Sequence, residues 1–392
     1  MKKTKETRKN RGITLIALVI TIIVLLILAG VSIARLTGNN GILTQAKLAK
    51  ENTALAKEDE ENKLAKNNEY INEQTGKVIP GKMATSTEKD NYSDGKDTAT
   101  VPQGFTVSGK EDEQIIANGL VIYDIPSEKV SEIDWNAKND DGSYKVQTEY
   151  NQFVWIPVAS EDVYQRDMSY PSDYDSEMDT TPANSTFTDT GYLPTDIQPT
   201  IDNATNNEKA EKAAVLKYNG FYIARYETGY EYENENSNVV SRQDCEALTC
   251  ETQERFKTIG KEMYGESSVH VKSAMCSGIQ WDMVMKFVDG KTDGIGNTYD
   301  VRKFNPNRHI GHVERTGKNV ADKVQNIYDL EGNYWENVAE KNNISALNPC
   351  VLRGGFIVID IERDSDYRAS MRFAFYGGGD AMFSFRSVLY IK

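Results

Sequence analysis

The alternation of polar and apolar positions breaks the chain into stretches of very different texture. Residues 1–12 are polar and basic: Lys2, Lys3, Lys5, Arg8, Lys9 and Arg11 stand against one acid, Glu6. Residues 13–34 are then almost wholly apolar, and no charge interrupts them before Arg35. At about 1.5 Å per residue, about 20 such residues cross a hydrocarbon core of about 30 Å. The pattern predicts a transmembrane helix over 13–35. Because the basic residues lie on its N-terminal side, the N-terminus is expected in the cytoplasm and everything after Arg35 outside. A cleaved secretory signal is the rival reading. Its apolar region usually runs roughly 7–15 residues and ends at a small-residue site, which Gly30-Val31-Ser32 matches poorly.

Polar texture returns at Thr37-Gly38-Asn39-Asn40-Gly41, a helix stop. Residues 42–73 regain helical character. Leu48 and Leu55 are seven apart, as are Leu64 and Ile71, but the two pairs are out of phase, and Lys and Glu fill the rest. This predicts a helical stalk over 36–73, either a solvated single helix or a thin coiled coil. Residues 74–100 hold almost no large apolar side chain and are expected to form a flexible linker. From Val101 onward short strand-like runs appear at 119–123, 153–158 and 220–227, rich in β-branched and aromatic residues. Helical patterns fall at 206–217, 251–264 and 279–288. The polar stretch 159–212 between them is expected to be a surface insertion. Short strands, few helices and long loops over 101–392 indicate an α+β fold with a sizeable core.

Composition narrows the chemistry. The 392 residues carry a formal net charge of -14, which argues against a nucleic-acid partner, since phosphate contacts need clustered Lys and Arg. Four Cys are too few for a disulfide scaffold. Cys245 and Cys250 could close a short disulfide or remain thiols, Cys276 has no evident partner, and Cys350 is expected to be a small buried residue. Of three His, only His309 and His312 lie close together, weak ground for a zinc site. No nucleophile-elbow or EF-hand spacing is present. No catalytic residue, metal or cofactor is therefore assigned, and the chain is read as a non-enzyme. Asp329 and Asn333 suit a turn with Gly332 between them, and Trp335 suits a core anchor. Arg353 and Arg386 each sit in an apolar frame and should make buried ion pairs, with Asp329 and Glu336 as partners.

The junction Arg11-Gly12-Ile13-Thr14-Leu15-Ile16 resembles a type IV prepilin leader. That resemblance implies cleavage by a prepilin peptidase between Gly12 and Ile13, leaving the apolar helix as a membrane anchor. Pilins usually carry Glu at the fifth mature position; here it is Ala17, which speaks against assembly into a true pilus.

A second resemblance covers residues 101–392. Asn326-Ile327-Tyr328-Asp329-Leu330-Glu331-Gly332-Asn333-Tyr334-Trp335-Glu336-Asn337, Val351-Leu352-Arg353-Gly354-Gly355 and Ser384-Phe385-Arg386-Ser387-Val388 are similar to successive segments of formylglycine-generating-enzyme-type domains. Phe221 to Glu227 and Gly278 to Asp282 are similar to two earlier ones. The resemblance implies a C-type-lectin-like fold, a small twisted sheet with much irregular loop. Oxidases of the family use a pair of cysteines beyond the Arg-Gly-Gly element, and this chain has no Cys after Cys350. Other members act on thiols with a metal held by His, and lectin-like domains often hold calcium.

The segment 356–383 departs from the family pattern: Phe356-Ile357 follows Arg-Gly-Gly, and aromatic residues flank Gly377-Gly378-Gly379. The layout resembles the variable proteins of diversity-generating retroelements, in which this segment is rewritten. By that resemblance the ligand-facing residues are Phe356, Ile357, Asp360, Phe373, Phe375, Tyr376, Asp380, Met382 and Phe383, beside glycines expected to be flexible. The expected function is a membrane-anchored surface protein that binds an extracellular protein or glycan. The alternatives are a minor pilin and a formylglycine-generating-type oxidase.

Overall fold

The computed structural model describes residues 15–37, 41–75, 77–85, 92–140, 145, 149–167, 169–170, 187–189, 207–233, 236–265, 267–303, 312–342, 349–356 and 368–392. The chain divides into two compact units, residues 1–71 and residues 72–392.

The first unit holds α1 (Leu15–Thr37) and all but the last residues of α2 (Ile42–Thr75). Within α1, Leu15–Ile33 is long and apolar enough to cross a membrane and buries none of its surface in the protein. Charge pairs one turn apart lace α2, as in Lys63–Asp59 at 2.7 Å and Lys57–Glu61 at 3.6 Å. Leu43, Leu48, Leu55 and Leu64 all remain exposed, so among the residues whose side chains are described the helix has no buried stripe of its own.

The second unit is mixed α+β. Its first strands are β1 (Tyr92–Ser93), β2 (Thr98–Ala99), β3 (Thr106–Val107), β4 (Val121–Tyr123), β5 (Gln152–Pro157) and β6 (Phe187–Asp189). After α3 (Asn207–Tyr218) come β7 (Gly220–Ala224), β8 (Gly229–Glu233), β9 (Asn236–Val240) and β10 (Glu246–Ala247). Helix α4 (Gln253–Ile259), β11 (Val271–Met275) and α5 (Gly278–Val288) follow. The chain closes with β12 (Trp335–Asn342), β13 (Cys350–Arg353), β14 (Phe373–Phe375), β15 (Phe383–Phe385) and β16 (Ser387–Ile391).

The main sheet runs β11-β16-β7-β5-β4-β3, every neighbouring pair antiparallel. Its strands read as continuous apolar runs because both faces are covered. Val154, Ile156, Ile223, Val388 and Tyr390 point into one core with α3 and α5. The intervening Phe153, Trp155, Tyr222, Leu389 and Ile391 point into a second core. A second sheet runs β14-β13-β12-β15, with β6 also paired to β12. Its β12 and β15 are parallel, matching Trp335 with Phe383.

Helix α5 starts where Ser277 and Gln280 exchange side-chain and backbone hydrogen bonds, a capping box that contributes about 1 kcal/mol. It is buried almost throughout, and Trp281 Nε1 donates to the Ala369 carbonyl at 2.9 Å. Helix α4 is shorter than the pattern at 251–264 predicts. It opens on a Thr252 cap and ends at Gly260, where a Cβ would lie 2.6 Å from the Met275 nitrogen.

Two expectations are corrected. The supposed linker 74–100 is partly folded: β1 and β2 pair as a hairpin, and Ala84, Tyr92 and Ala99 are buried in the second core. Asp94 closes the hairpin by accepting from the Lys96, Asp97 and Ile116 amides, so a segment with few apolar residues is still fixed by its turn. The polar stretch 159–212 is not all surface either. Tyr164, Arg166 and Tyr170 are buried, β6 joins the second sheet, and α3 carries buried Ala210 and Glu211. Its polar residues enter the interior as satisfied pairs, which composition does not reveal.

Candidate ligand-binding surface

The second sheet carries the surface singled out above. Pairing of β13 with β14 sets Leu352 opposite Phe373 and Cys350 opposite Phe375. Together with the Trp335–Phe383 match, this gathers Trp335, Leu352, Met371, Phe375 and Phe383 into a small cluster of their own. Phe373 stacks on Trp335 with ring centroids 5.2 Å apart and planes at 26°. Phe375 meets Phe383 edge-on at 4.9 Å and Tyr376 at 5.9 Å. Phe356 packs at the margin, 6.5 Å from Tyr334.

These contacts sort the expected ligand-facing residues. Tyr376 is 63% exposed and Met382 40%, while Phe356 and Phe373 are half-buried. Those four present aromatic and thioether surface. Phe375 and Phe383 do not face outward: at 4% and 8% exposure they are the platform beneath. Asp380 is a turn residue. Its Oδ1 accepts from the Met382 amide at 2.9 Å and its carbonyl from the Cys250 amide at 3.0 Å. Ile357 and Asp360 lie outside the described residues, as do Gly12 and Ile13.

The three glycines beside Tyr376 serve close packing. A Cβ on Gly377 would sit 2.6 Å from Cys350 Sγ, one on Gly378 2.1 Å from the Tyr376 ring, and one on Gly379 2.6 Å from the Cys250 carbonyl oxygen. Gly377 also has φ +82°, where a side chain would be strained. The expected flexible segment is thus pinned between two parts of the fold.

Beneath the aromatic cluster lies a buried ionic frame. Arg353 Nη2 donates to Asp282 Oδ1 at 2.7 Å, and Arg372 donates to the other oxygen of the same carboxylate. Glu340 accepts from Arg166 Nε at 2.6 Å and has Arg372 Nε at 3.4 Å and Arg353 Nη1 at 3.9 Å. Burial alone would push the Glu340 carboxyl up. The guanidinium groups of Arg372, Arg166 and Arg353 outweigh burial and hold it below the usual range. Gly278 makes room, since a Cβ there would lie 2.3 Å from the Glu340 carboxyl carbon. Arg386 pairs with Glu336 through Nε at 3.1 Å and reaches the Tyr328 carbonyl at 2.9 Å.

Sequence reasoning named Arg353, Arg386 and Glu336 but missed Asp282 as the partner of Arg353. It missed Arg166, Glu340 and Arg372 altogether. Arg372 stands between Met371 and Phe373, the same apolar framing that marked the other two arginines. Asp329 supplies its carboxylate elsewhere, accepting from the Gly317 amide at 2.6 Å.

Other chemistry is sparse. Cys245, Cys250, Cys276 and Cys350 are free thiols. His312 is exposed, 3.7 Å from Glu314, and His309 lies outside the described residues. Among the described residues no group of three or more His, Cys, Asp or Glu is arranged to hold a metal ion. A shallow polar cavity of about 360 Å³ opens beside β8, lined by Tyr230, Cys245, Glu246 and Arg315. Compared with family models, with curated proteins and with solved structures, the chain matches none of them.

Proposed function

We propose that this is a membrane-anchored, surface-displayed binding protein that recognises an extracellular protein or glycan through the aromatic surface of its second sheet. The observation that carries the reading is the arrangement of Phe356, Phe373, Tyr376 and Met382. They are exposed or half-exposed, yet rest on buried Trp335, Phe375 and Phe383. Rigid aromatics on a packed platform offer contact area at low entropy cost. The apolar Leu15–Ile33 supports an anchor, with the leader 1–12 as a prepilin peptidase substrate. The α+β architecture, with both arginines of the resembling segments in buried pairs, supports a C-type-lectin-like domain of the formylglycine-generating-enzyme type. In this reading the domain is not an enzyme, and the segment 356–383 is open to retroelement diversification. The test is a binding screen of the full-length chain, displayed in membranes, against extracellular proteins and glycans. Joint replacement of Phe356, Phe373, Tyr376 and Met382 by Ser should abolish the strongest hit. Undiminished binding by that folded variant would sink the assignment.

A further inference from the structure

On a different part of the second unit, a polar cavity of about 430 Å³ is bounded by Asp112, Asn118, Lys291, Asp293, Lys323 and Asn326. Lys323 on its lining lies within the field of two further cations, Arg225 and Lys110. Arg225 pairs with the buried carboxylate of Glu113 at 2.8 Å, and Lys110 stands 3.7 Å from the same carboxylate. Lys323 is the third, half-buried, and its ammonium makes no ion pair within 4.0 Å among the described residues. Exposed Asp112 is the other carboxylate near it, so the cluster holds one more cation than carboxylates. Asp293, bridged to Val324 beside Lys323, also lines the cavity, and its Oδ1 accepts from the Ile295 and Asn297 amides. Burial, and then the field of Arg225, push the Lys323 ammonium below its usual range.

The wall carrying Lys323 is strained. Val324 and Ile327 exchange backbone hydrogen bonds of 2.8 and 2.9 Å across a two-residue turn. Both turn residues are left-handed, Gln325 with φ +47° and Asn326 with φ +62°. Asn tolerates this better than Gln, so the conformation at Gln325 is strained. Packing enforces it. The Gln325 carbonyl oxygen occupies the space where a Cβ on Gly119 would lie, 1.9 Å away, and Asn326 Nδ2 donates to the Gly119 carbonyl at 2.8 Å. The turn that follows Lys323 is therefore fixed by packing against Gly119.

We propose that this cavity binds a small hydroxylated anion, a sugar acid or sugar phosphate, with Lys323 Nζ as its charge partner. An incoming carboxylate or phosphate makes a direct ion pair with Lys323, in a partly desolvated setting that strengthens it. The amide of Asn118 and the carboxylate of Asp112 meet hydroxyls, and the volume suits a molecule of monosaccharide size.

Calorimetric titration of the full-length chain in detergent with glucuronate, glucose 6-phosphate and glucose tests this. At least one anion should bind about tenfold or more tightly than glucose, and the pair of anions separates carboxylate from phosphate preference. Lys323→Gln should lose that advantage and Lys323→Arg should keep it. In the unmodified chain the bound anion should slow acetylation of Lys323 and leave exposed Lys318 unaffected, a readout independent of any variant's folding. Equal affinity for glucose, full affinity in Lys323→Gln, no protection of Lys323, or no saturation up to about 10 mM each overturns the proposal.

Discussion

Replacing Glu211 by Gln should make the second unit more stable in mild alkali and leave it nearly unchanged in mild acid. Glu211 lies fully buried on α3 and accepts from the Tyr164 hydroxyl, from Ser277 Oγ at 2.7 Å and from Tyr390 Oη at 3.3 Å. Three hydroxyls solvate it, from the 159–170 segment, from the start of α5 and from β16. Burial pushes its carboxyl up to about 7; the hydroxyls pull it partly back, and neighbouring Glu208 adds to the rise. In the unfolded chain the same group titrates at its ordinary 4.5.

The sign follows from proton counting. Between the two values the folded state holds a proton that the unfolded state has released, so stability falls as the pH rises through this window. The benefit is complete below 4.5 and gone above about 7. At about 1.4 kcal/mol per pH unit, the gap corresponds to on the order of 3 kcal/mol. Gln cannot titrate, and its amide can donate to hydroxyls that turn to accept. Urea unfolding followed by the fluorescence of buried Trp155, Trp281 and Trp335 in the full-length chain in detergent measures the effect. Other groups contribute to each curve, so the quantity that decides is the difference between wild type and Glu211→Gln. That difference should grow by about 2.5 kcal/mol between about pH 5 and pH 8. Parallel curves would refute the claim that Glu211 is the titrating group.

Two substitutions probe the frame and the surface separately. Gly278→Ala should destabilise by about 1–3 kcal/mol, because its methyl would displace the Glu340 carboxylate from three arginines; an unfolding midpoint equal to wild type would contradict the packing. Phe375→Ala should cost about 3–5 kcal/mol in the same unfolding assay, whereas Tyr376→Ala, at a largely exposed position, should cost about 0.5 kcal/mol or less and act only on binding.

The features readable from the sequence were those that periodicity records locally. The apolar run 13–34 was visible because its length and lack of charge can be read without any long-range contact, and Leu15–Ile33 forms a helix apolar and long enough to cross a membrane. Strands β5 and β7 were visible because a sheet covered on both faces leaves no polar alternation to hide them. Arg353 and Arg386 announced burial by their apolar neighbours. Their partners were not readable. Asp282 stands 71 residues before Arg353, and only the course of β12 and β13 past α5 brings the two together. The 92–99 hairpin escaped notice because one aspartate and two buried anchors, Tyr92 and Ala99, hold it, too few to register in composition. The glycines at 377–379 were misjudged for a related reason: a missing Cβ permits both mobility and close approach, and only the neighbours decide which.

The same separation bears on how the outward-facing residues could change without loss of the fold. The aromatic cluster around Trp335 is distinct from both cores that cover the main sheet. Between it and the first core lies the ionic frame of Asp282, Glu340, Arg353 and Arg372, whose pairs are made among themselves and with Arg166. Substituting Tyr376 or Met382 removes surface contacts and touches no member of that frame. Substituting Phe375 or Phe383 reaches the platform. A diversified binder would therefore concentrate its changes at Phe356, Phe373, Tyr376 and Met382 and spare Phe375, Phe383 and the arginines. Sequencing this segment across many cells of one population would reveal that distribution. Substitutions spread equally over platform and surface would point to relaxed constraint and not to a selected binding face.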